Sequence, residues 1–399
     1  MRAKISHKRV VFDSQVRNRT KSREKLAHTE AREPVQVRKK QVISARARPS
    51  KKKQVRSARA RLSEKKASYQ QVMKGHKMRI TFMGTPDFTL PILDALKAAG
   101  HEIILVVTQP DKPRGRKAEL MPPPAKEWAV ANNIPVFQPE RIKREEAVDF
   151  LKQYPSDVCV VAAFGQILSK EILDMPRLGC VNVHASLLPK YRGAAPIQWS
   201  ILNGEEYTGV TTMQMGVGLD DGDILLQKVV EIDDEITGGE LFEKLAIVGG
   251  ELIVETIEKL DRGEIVPVPQ NEIESTHVGM IKKELGNLDF SRPAKELNNY
   301  VRGLNPWPSA FTYLNGKMVK IWKAKPITDL AEVPDFTDVL EKAEVATLVS
   351  NAKDTLLVRT GDGALSIEEL QIEGKKRMTV SDFLRGHKIE EGDRFSRDR

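Results

Sequence analysis

Arg79–Met83 is a compact apolar run, Leu90–Ala99 spaces its apolar residues for a helix and stops at Gly100, and Glu102–Thr108 is a second β-branched run. Strand, helix and strand within about 30 residues make a βαβ unit. Parallel neighbours need such a crossover, and its helix covers one face of the sheet. Later segments extend the pattern. Asp157–Ala163 reads as a buried central strand, and Cys180–His184 as another. The fold class that follows is α/β, with an open, mostly parallel, Rossmann-like sheet. A glycine, Gly84, follows the first strand, but no GxGxxG is present, so a dinucleotide cofactor is disfavoured.

In open parallel sheets ligands bind beyond the carboxyl ends of strands. Gly84, Gly165 and His184 all stand at such ends. The strand Cys180–His184 places Asn182 and His184 two residues apart, on one face. Ser186-Leu187-Leu188-Pro189 follows, where proline ends the strand. A carboxamide beside an imidazole suits polarising a carbonyl and moving a proton. The plain alternative is an ordinary strand with one core histidine. Gly209–Met215 is a further strand. It runs into Gly216–Asp223, where three carboxylates and three glycines fall within eight residues. This is either a tight functional loop or a solvated turn, and the spacing does not match a calcium loop. Gly238–Arg262 is a long amphipathic helix suited to cover the sheet.

Gln109–Pro124 is long for a connection between a strand and a helix, and long loops are often functional. Lys112, Arg114, Arg116 and Lys117, with Lys126 just beyond, cluster around Gly115. A solvated charge run is one reading. A finger that meets a phosphate backbone or splayed bases is the other. Charge distribution sharpens the choice. Residues 1–77 hold 25 Lys and Arg against 5 Asp and Glu, whereas the rest holds 39 against 50. In a net acidic body, a concentrated basic loop carries information.

The basic tail, 1–77, has few large apolar residues and repeats SARAR at 44–48 and 57–61. It cannot bury enough apolar surface to offset its chain entropy, so disorder is expected. It lacks the apolar core of a secretory signal. Three readings fit it: a translated stretch upstream of a true start at Met78, a basic RNA-binding arm, or an organellar transit peptide. No run is long and apolar enough to span a membrane. Cys159 and Cys180 both lie in apolar runs and read as reduced core thiols, which points to the cytoplasm. Seven scattered histidines without HxxxH or CxxC spacing give no support for a metal.

After a polar linker, 264–283, a second domain covers 284–399. Ala294–Gly303 is helical and Asn305-Pro306-Trp307-Pro308 is a rigid turn. Short strands follow at Ala310–Leu314, Met318–Lys325, Ala343–Val349, Thr355–Thr360 and Ala364–Gln371, and a helix at Thr379–Arg385 closes the domain. Asn315-Gly316 and Asp362-Gly363 are hairpin signals. The pattern predicts a small OB-like β-barrel. Lys317, Lys320, Lys323, Lys325, Lys375, Lys376 and Arg377 are expected on one basic face.

Residues 78–399 resemble the methionyl-tRNA formyltransferase family. The resemblance is carried by Met83-Gly84-Thr85-Pro86-Asp87-Phe88, the Gln109–Pro124 loop, Asn182-Val183-His184-Ala185-Ser186-Leu187-Leu188-Pro189, Arg192-Gly193-Ala194-Ala195-Pro196, Leu219-Asp220-Asp221-Gly222 and Asn305-Pro306-Trp307-Pro308. The HxSLLP and LDxG pieces are general to folate formyltransferases; the basic loop, the GTPDF piece and the second domain narrow it to the tRNA enzyme. The resemblance implies a catalytic domain at 78–263 and a tRNA-binding domain at 284–399. It implies 10-formyltetrahydrofolate as co-substrate without a metal, and initiator methionyl-tRNA as acceptor. It makes Asn182, His184 and Asp220 catalytic, with Asp220 preferred to Asp221 because it takes the family's aspartate position. Asn182 would donate to a tetrahedral oxyanion, and Asp220 would hold His184 in its charged form, since a neighbouring anion favours imidazolium. Asp220 could equally organise a water that relays the amine proton. Ser186, Leu187, Leu188 and Pro189 are implied as a folate wall. Lys112, Arg114, Arg116 and Lys117 are implied as tRNA contacts, with Arg116 at the family's key position. Ala118 and Glu119 depart from the family's more basic loop. A monomer is expected. A formyltransferase for a sugar or glycinamide amine, and a catalytically silent RNA-binding protein, are the rival readings.

Overall fold

A computed structural model describes residues 76–114 and 119–399. The tail up to residue 75, with its expected disorder, lies outside the described residues, as do Arg116 and Lys117. In chain order the first domain contains β1 (Arg79–Gly84), α1 (Thr89–Ala98), β2 (Glu102–Val107), β3 (Lys112–Arg114), β4 (Glu119–Met121), α2 (Pro124–Ala131), β5 (Val136–Phe137), α3 (Glu145–Lys152), β6 (Val158–Ala162), α4 (Lys170–Leu173), β7 (Cys180–His184), β8 (Arg192–Gly193), α5 (Pro196–Leu202), β9 (Tyr207–Gln214), β10 (Asp223–Glu231) and α6 (Gly238–Asp261).

Seven of these strands form one sheet in the order β10-β9-β7-β6-β1-β2-β5. Strands β7, β6, β1, β2 and β5 are parallel, as the opening βαβ unit requires. The other two reverse direction: β9 is antiparallel to β7, and β10 to β9. The register aligns Gly84 with Ala162, and Val161 with Asn182. The ends of β1, β6 and β7 therefore open on one edge of the sheet. Strands β6 and β7 are buried along their whole length, which explains why they read as continuous apolar runs rather than alternating ones.

Helix α6 covers one face. It starts with a capping box, in which the Thr237 hydroxyl accepts from the Glu240 amide and the Glu240 carboxylate accepts from the Thr237 amide. Gly249 and Gly250 stand mid-helix, against propensity. Their reason is close packing: a Cβ on Gly250 would sit 2.8 Å from the Pro91 carbonyl of α1, and one on Gly249 would sit 2.9 Å from the Val183 side chain of β7.

The joining segment contains β11 (His277–Val278), and the second domain contains α7 (Ala294–Gly303), β12 (Ala310–Leu314), β13 (Lys317–Ile327), α8 (Thr337–Lys342), β14 (Leu348–Ser350), β15 (Leu356–Arg359), β16 (Ala364–Ile372), β17 (Met378–Thr379) and α9 (Val380–Gly386). Its antiparallel sheet runs β12-β13-β16-β15-β14. The C-terminal segment then joins the two edges. Tyr313 beside Ser396 and Thr347 beside Arg394 are bridged, and Tyr313 and Ser396 exchange two backbone hydrogen bonds of 2.9 Å. That closes the expected barrel and leaves neither edge open for pairing.

Two expectations change. The strand expected at Ala343–Val349 is confined to Leu348–Ser350, and a short helix, α8, precedes it. Only Leu340 of that helix is buried, so no apolar period announced it. The stretch 264–283 is not a free linker either. Val268 bridges Ile224 of β10, and β11 pairs with β8, so the segment is laid along the first domain. Helix α7 docks beside it, where buried Arg302 donates to the Asp233 carbonyl at 2.8 Å and to the Asn299 side chain.

Candidate active site

The strand ends surround a cleft of about 570 Å³, within the usual range for a small-molecule site. Asn182 and His184 both face it from β7, and both are buried, at 8% and 6% exposure. Their shared face follows from strand alternation. Asp220 arrives from a different element, the loop between β9 and β10. Its Oδ1 accepts from Asn182 Nδ2 at 3.4 Å, and its Oδ2 lies 3.7 Å from His184 Nδ1. The Gly193 amide donates to the same Oδ2 at 2.9 Å. One carboxylate thus gathers three partners from two chain segments.

The histidine's orientation is set from behind. Its Nε2 lies 3.0 Å from the Tyr191 carbonyl, which can only accept, so Nε2 carries a hydrogen. Nδ1 is left facing the cleft and Asp220. The carbonyl is placed there by Tyr191 in a left-handed conformation, φ 62°, and Asp220 itself has φ 53° and Ala163 φ 44°. Non-glycine residues in this region cost roughly 1–3 kcal/mol each and cluster where geometry serves chemistry. Burial, with Glu205 accepting from the hydroxyl, pushes the Tyr191 phenol up to about 12. It therefore stays neutral as a structural post.

The glycines of the β9–β10 loop have a steric reason. A Cβ on Gly222 would sit 1.9 Å from the Gln214 carbonyl, and one on Gly218 would sit 2.0 Å from an Asp221 carboxylate oxygen. Asp221 is exposed and folds back over its own loop, whereas the Asp220 side chain is 12% exposed and turned to β7.

The cleft lining from this strand runs to Ala185, and Ser186–Pro189 follow directly. Ser186 is fully buried, its hydroxyl donating to the Lys190 carbonyl at 2.7 Å. The Ser186 carbonyl accepts from the Thr211 hydroxyl, and the Leu188 amide donates to that same oxygen. These bonds hold Ser186 and the Leu188 backbone in place, while the Leu187 and Pro189 side chains stay half-buried. The lining across the cleft is Phe164–Leu168, at the end of β6, with Met215 and Gly216.

The finger is a short hairpin, β3 with β4. Lys112 is exposed on it, and Arg114 ends its first strand. Lys126 is not among its outward cations. It holds both oxygens of Asp111, at 2.9 and 2.7 Å, and Gln138 bonds the same carboxylate. These contacts, Lys126 first, hold the Asp111 carboxyl below its ordinary value. The finger's base is tied to the cleft as well, since the Gln109 amide group donates to the Phe164 carbonyl at 3.0 Å. Among the described residues no cluster of His, Cys, Asp or Glu could hold a metal, and no helix is long and apolar enough to cross a membrane.

Sequence reading missed three supports. Gln270, Thr276 and the Tyr191 carbonyl hold the site from the segment after α6 and from the turn after β7. Gln270 sits in a polar stretch between Pro269 and Asn271 with no periodic signal, so nothing local marks it.

A fold and site of this kind define a folate-type formyl-transfer enzyme, and comparison with known proteins agrees. Residues 78–275 match the Formyl transferase family and residues 280–388 the Formyl transferase C-terminal domain, so the chain belongs to the formyl transferases. Methionyl-tRNA formyltransferase of Agathobacter rectalis is 50% identical over 319 residues, covering 80% of this chain and 100% of the relative. That of Lachnospira eligens is 52% identical over 315 residues, covering 79% and 98%. Within its class the chain is a member of the methionyl-tRNA formyltransferase family. Solved structures share the fold at lower identity. The Helicobacter canadensis N-formyltransferase, in complex with folinic acid and dTDP-3-aminofucose, has a TM-score of 0.52 at 18% identity, covering 75% of this chain and 99% of that one. HypX of Aquifex aeolicus, in complex with tetrahydrofolic acid, has a TM-score of 0.51 at 18% identity, covering 80% and 50%.

Proposed function

We propose that Asn182, His184 and Asp220 carry out this family's reaction, in which the formyl group of 10-formyltetrahydrofolate passes to the free amino group of initiator methionyl-tRNA. The observation that carries the assignment is convergence: two buried side chains of one strand and a carboxylate from a distant loop meet at one cleft. The amine attacks the formyl carbon directly, a C–N bond forms, and the carbonyl oxygen becomes a tetrahedral oxyanion. Asn182 has a second amide hydrogen to give that oxygen beyond the one aimed at Asp220. Preorganised donation of this kind is commonly the largest catalytic contribution. The amine's proton leaves toward the pair of Asp220 and His184 Nδ1, and the folate nitrogen departs with a proton when the intermediate collapses. No covalent enzyme intermediate is needed, and both cysteines are buried in the sheet.

The folate occupies the cleft against Phe164–Leu168 and Ala185 and meets Ser186–Pro189, the wall that the family resemblance implies. Lys112, Arg114, Arg116 and Lys117 meet the acceptor end of the tRNA, and the barrel meets its backbone. The enzyme works as a monomer in the cytoplasm. Rates of formyl transfer to methionyl-tRNA and to an amino-sugar nucleotide, measured side by side, test the assignment. The tRNA substrate is expected to react and the sugar not to; the reverse result overturns it. Light scattering of the full chain tests the monomer, and a dimeric mass contradicts it.

A further inference from the structure

Asp220 is held by more than the groups it serves. The Gln270 side-chain amide donates to two carbonyls of the Asp220 loop, those of Asp220 at 2.8 Å and Gly222 at 2.7 Å. Its own oxygen accepts from Arg192, at 3.0 Å from Nε and 2.8 Å from Nη2. Arg192 is only 3% exposed, and its outer nitrogens grip Glu272 at 2.7 and 3.0 Å. That grip holds the Glu272 carboxyl below its ordinary value. Three residues of the segment after α6 thus bear on the site. Gln270 clamps the loop, Glu272 anchors Arg192, and Thr276 accepts from the Tyr191 amide through its hydroxyl at 2.8 Å. The Thr276 carbonyl accepts from the Arg192 amide at the same distance. Tyr191 is the residue whose carbonyl orients His184.

We infer that the segment 268–278, which joins the two domains, is a positioning strap for the catalytic groups, and that Gln270 is its key positioning residue. The inference rests on the role proposed above for Asp220. Physically, Asp220 sits in a left-handed conformation on a loop rich in glycine, which has little intrinsic reason to hold one shape. A side chain bonded to the carbonyls at positions 220 and 222 brackets Asp221 and pins the turn that aims the carboxylate. Arg192 fixes which way the Gln270 amide faces, because a guanidinium only donates and so requires the amide oxygen. The amide nitrogen is thereby directed at the loop. The strap also links the site to the position of the second domain, since the same segment leads into it.

Gln270→Glu separates the two halves of this contact. A carboxylate still accepts from Arg192 but cannot donate to the loop carbonyls. Gln270→Met removes both halves at similar volume. In the full chain, with methionyl-tRNA and 10-formyltetrahydrofolate, Gln270→Glu is expected to lower kcat about 10- to 100-fold, the scale of a small misplacement of a reacting group. KM for both substrates and the melting temperature should be nearly unchanged. Gln270→Met should lose kcat as well. In an Asp220→Asn background, Gln270→Glu should cause little further loss, because the residue acts through Asp220. Full kcat in Gln270→Glu beside a crippled Asp220→Asn overturns this inference alone. So does a loss that persists undiminished in the Asp220→Asn background, or one that follows a fall in melting temperature. Full kcat in Asp220→Asn overturns the catalytic reading, and this inference with it.

Discussion

The cleft and the barrel face use polar residues in opposite ways. In the cleft, Asn182, His184 and Asp220 are withdrawn from water; His184 and Asp220 each have partners on two segments, and Asn182 is aimed at Asp220. On the barrel, the cations stand in solvent and many are already paired. Lys323 and Lys325 share Glu368, at 2.8 and 3.0 Å, and Arg377 holds Glu369. Lys320 and Arg377 both approach the Trp322 ring, 5.5 and 5.2 Å from its centroid. The difference fits the tasks proposed for the two regions. Transition-state stabilisation needs dipoles that do not reorganise, whereas backbone binding needs charge at a surface and tolerates mobility and salt. The intramolecular pairs also moderate the basic face, so the barrel's charge is smaller than a count of its lysines suggests.

The largest effect that separates the two regions is expected at Asp220. Asp220→Asn should lower kcat on the order of 100- to 1000-fold while tRNA binding, read by filter retention, stays close to wild type; an active variant removes Asp220 from the mechanism. The Gln270→Glu loss described above comes next, and it tests whether the cleft's rigidity depends on the strap. At the barrel, burial raises the Glu368 carboxyl, but hydrogen bonds from Lys323 and Lys325 outweigh this and hold it low. Glu368→Gln therefore frees two lysines. The tRNA KM should fall and the slope of log affinity against log salt should steepen by about 1, with kcat unchanged. A raised KM would mean that Glu368 orders this face rather than masking it.

The smallest effect concerns His101, buried far from either region. Burial, the main cause, lowers its pKa from 6.5. The unfolded chain then binds a proton at a higher pH than the folded one, so unfolding is favoured as pH falls below about 6.5. The loss levels off once folded His101 also protonates. Denaturant midpoints between pH 7.5 and about 5 should fall less in His101→Gln than in wild type, with turnover at neutral pH preserved. Equal pH slopes would show that His101 contributes no linkage.

Local pattern carried much of the architecture. The βαβ unit at 79–108, the buried runs at β6 and β7, the long α6 and the hairpin at Asn315-Gly316 were legible because apolar period and turn chemistry are short-range signals. On the barrel, the outward positions Lys320, Trp322, Lys323 and Lys325 break simple alternation. A register shift near Trp322 resets the parity, which no period-2 reading anticipates. In the site, Asn182 and His184 were readable as a pair because two residues on a strand must share a face. Asp220 was singled out from Asp221 by resemblance; its buried carboxylate, against the exposed Asp221, appears only when β9 and β10 are folded back on the sheet.

What the sequence alone determined is therefore a parallel sheet with a polar pair at one strand's exit, a basic finger, and a second, hairpin-rich domain. These follow from backbone periodicity, turn chemistry and steric rules acting within a few residues. The tertiary structure decided which aspartate meets that pair, and that Lys126 clamps the finger's base instead of extending its charge. It also turned the polar stretch around Gln270 from a linker into a strap. Each of these depends on which distant groups satisfy a buried donor, acceptor or charge, and contacts between residues as far apart as 220 and 270 leave no periodic trace in the chain.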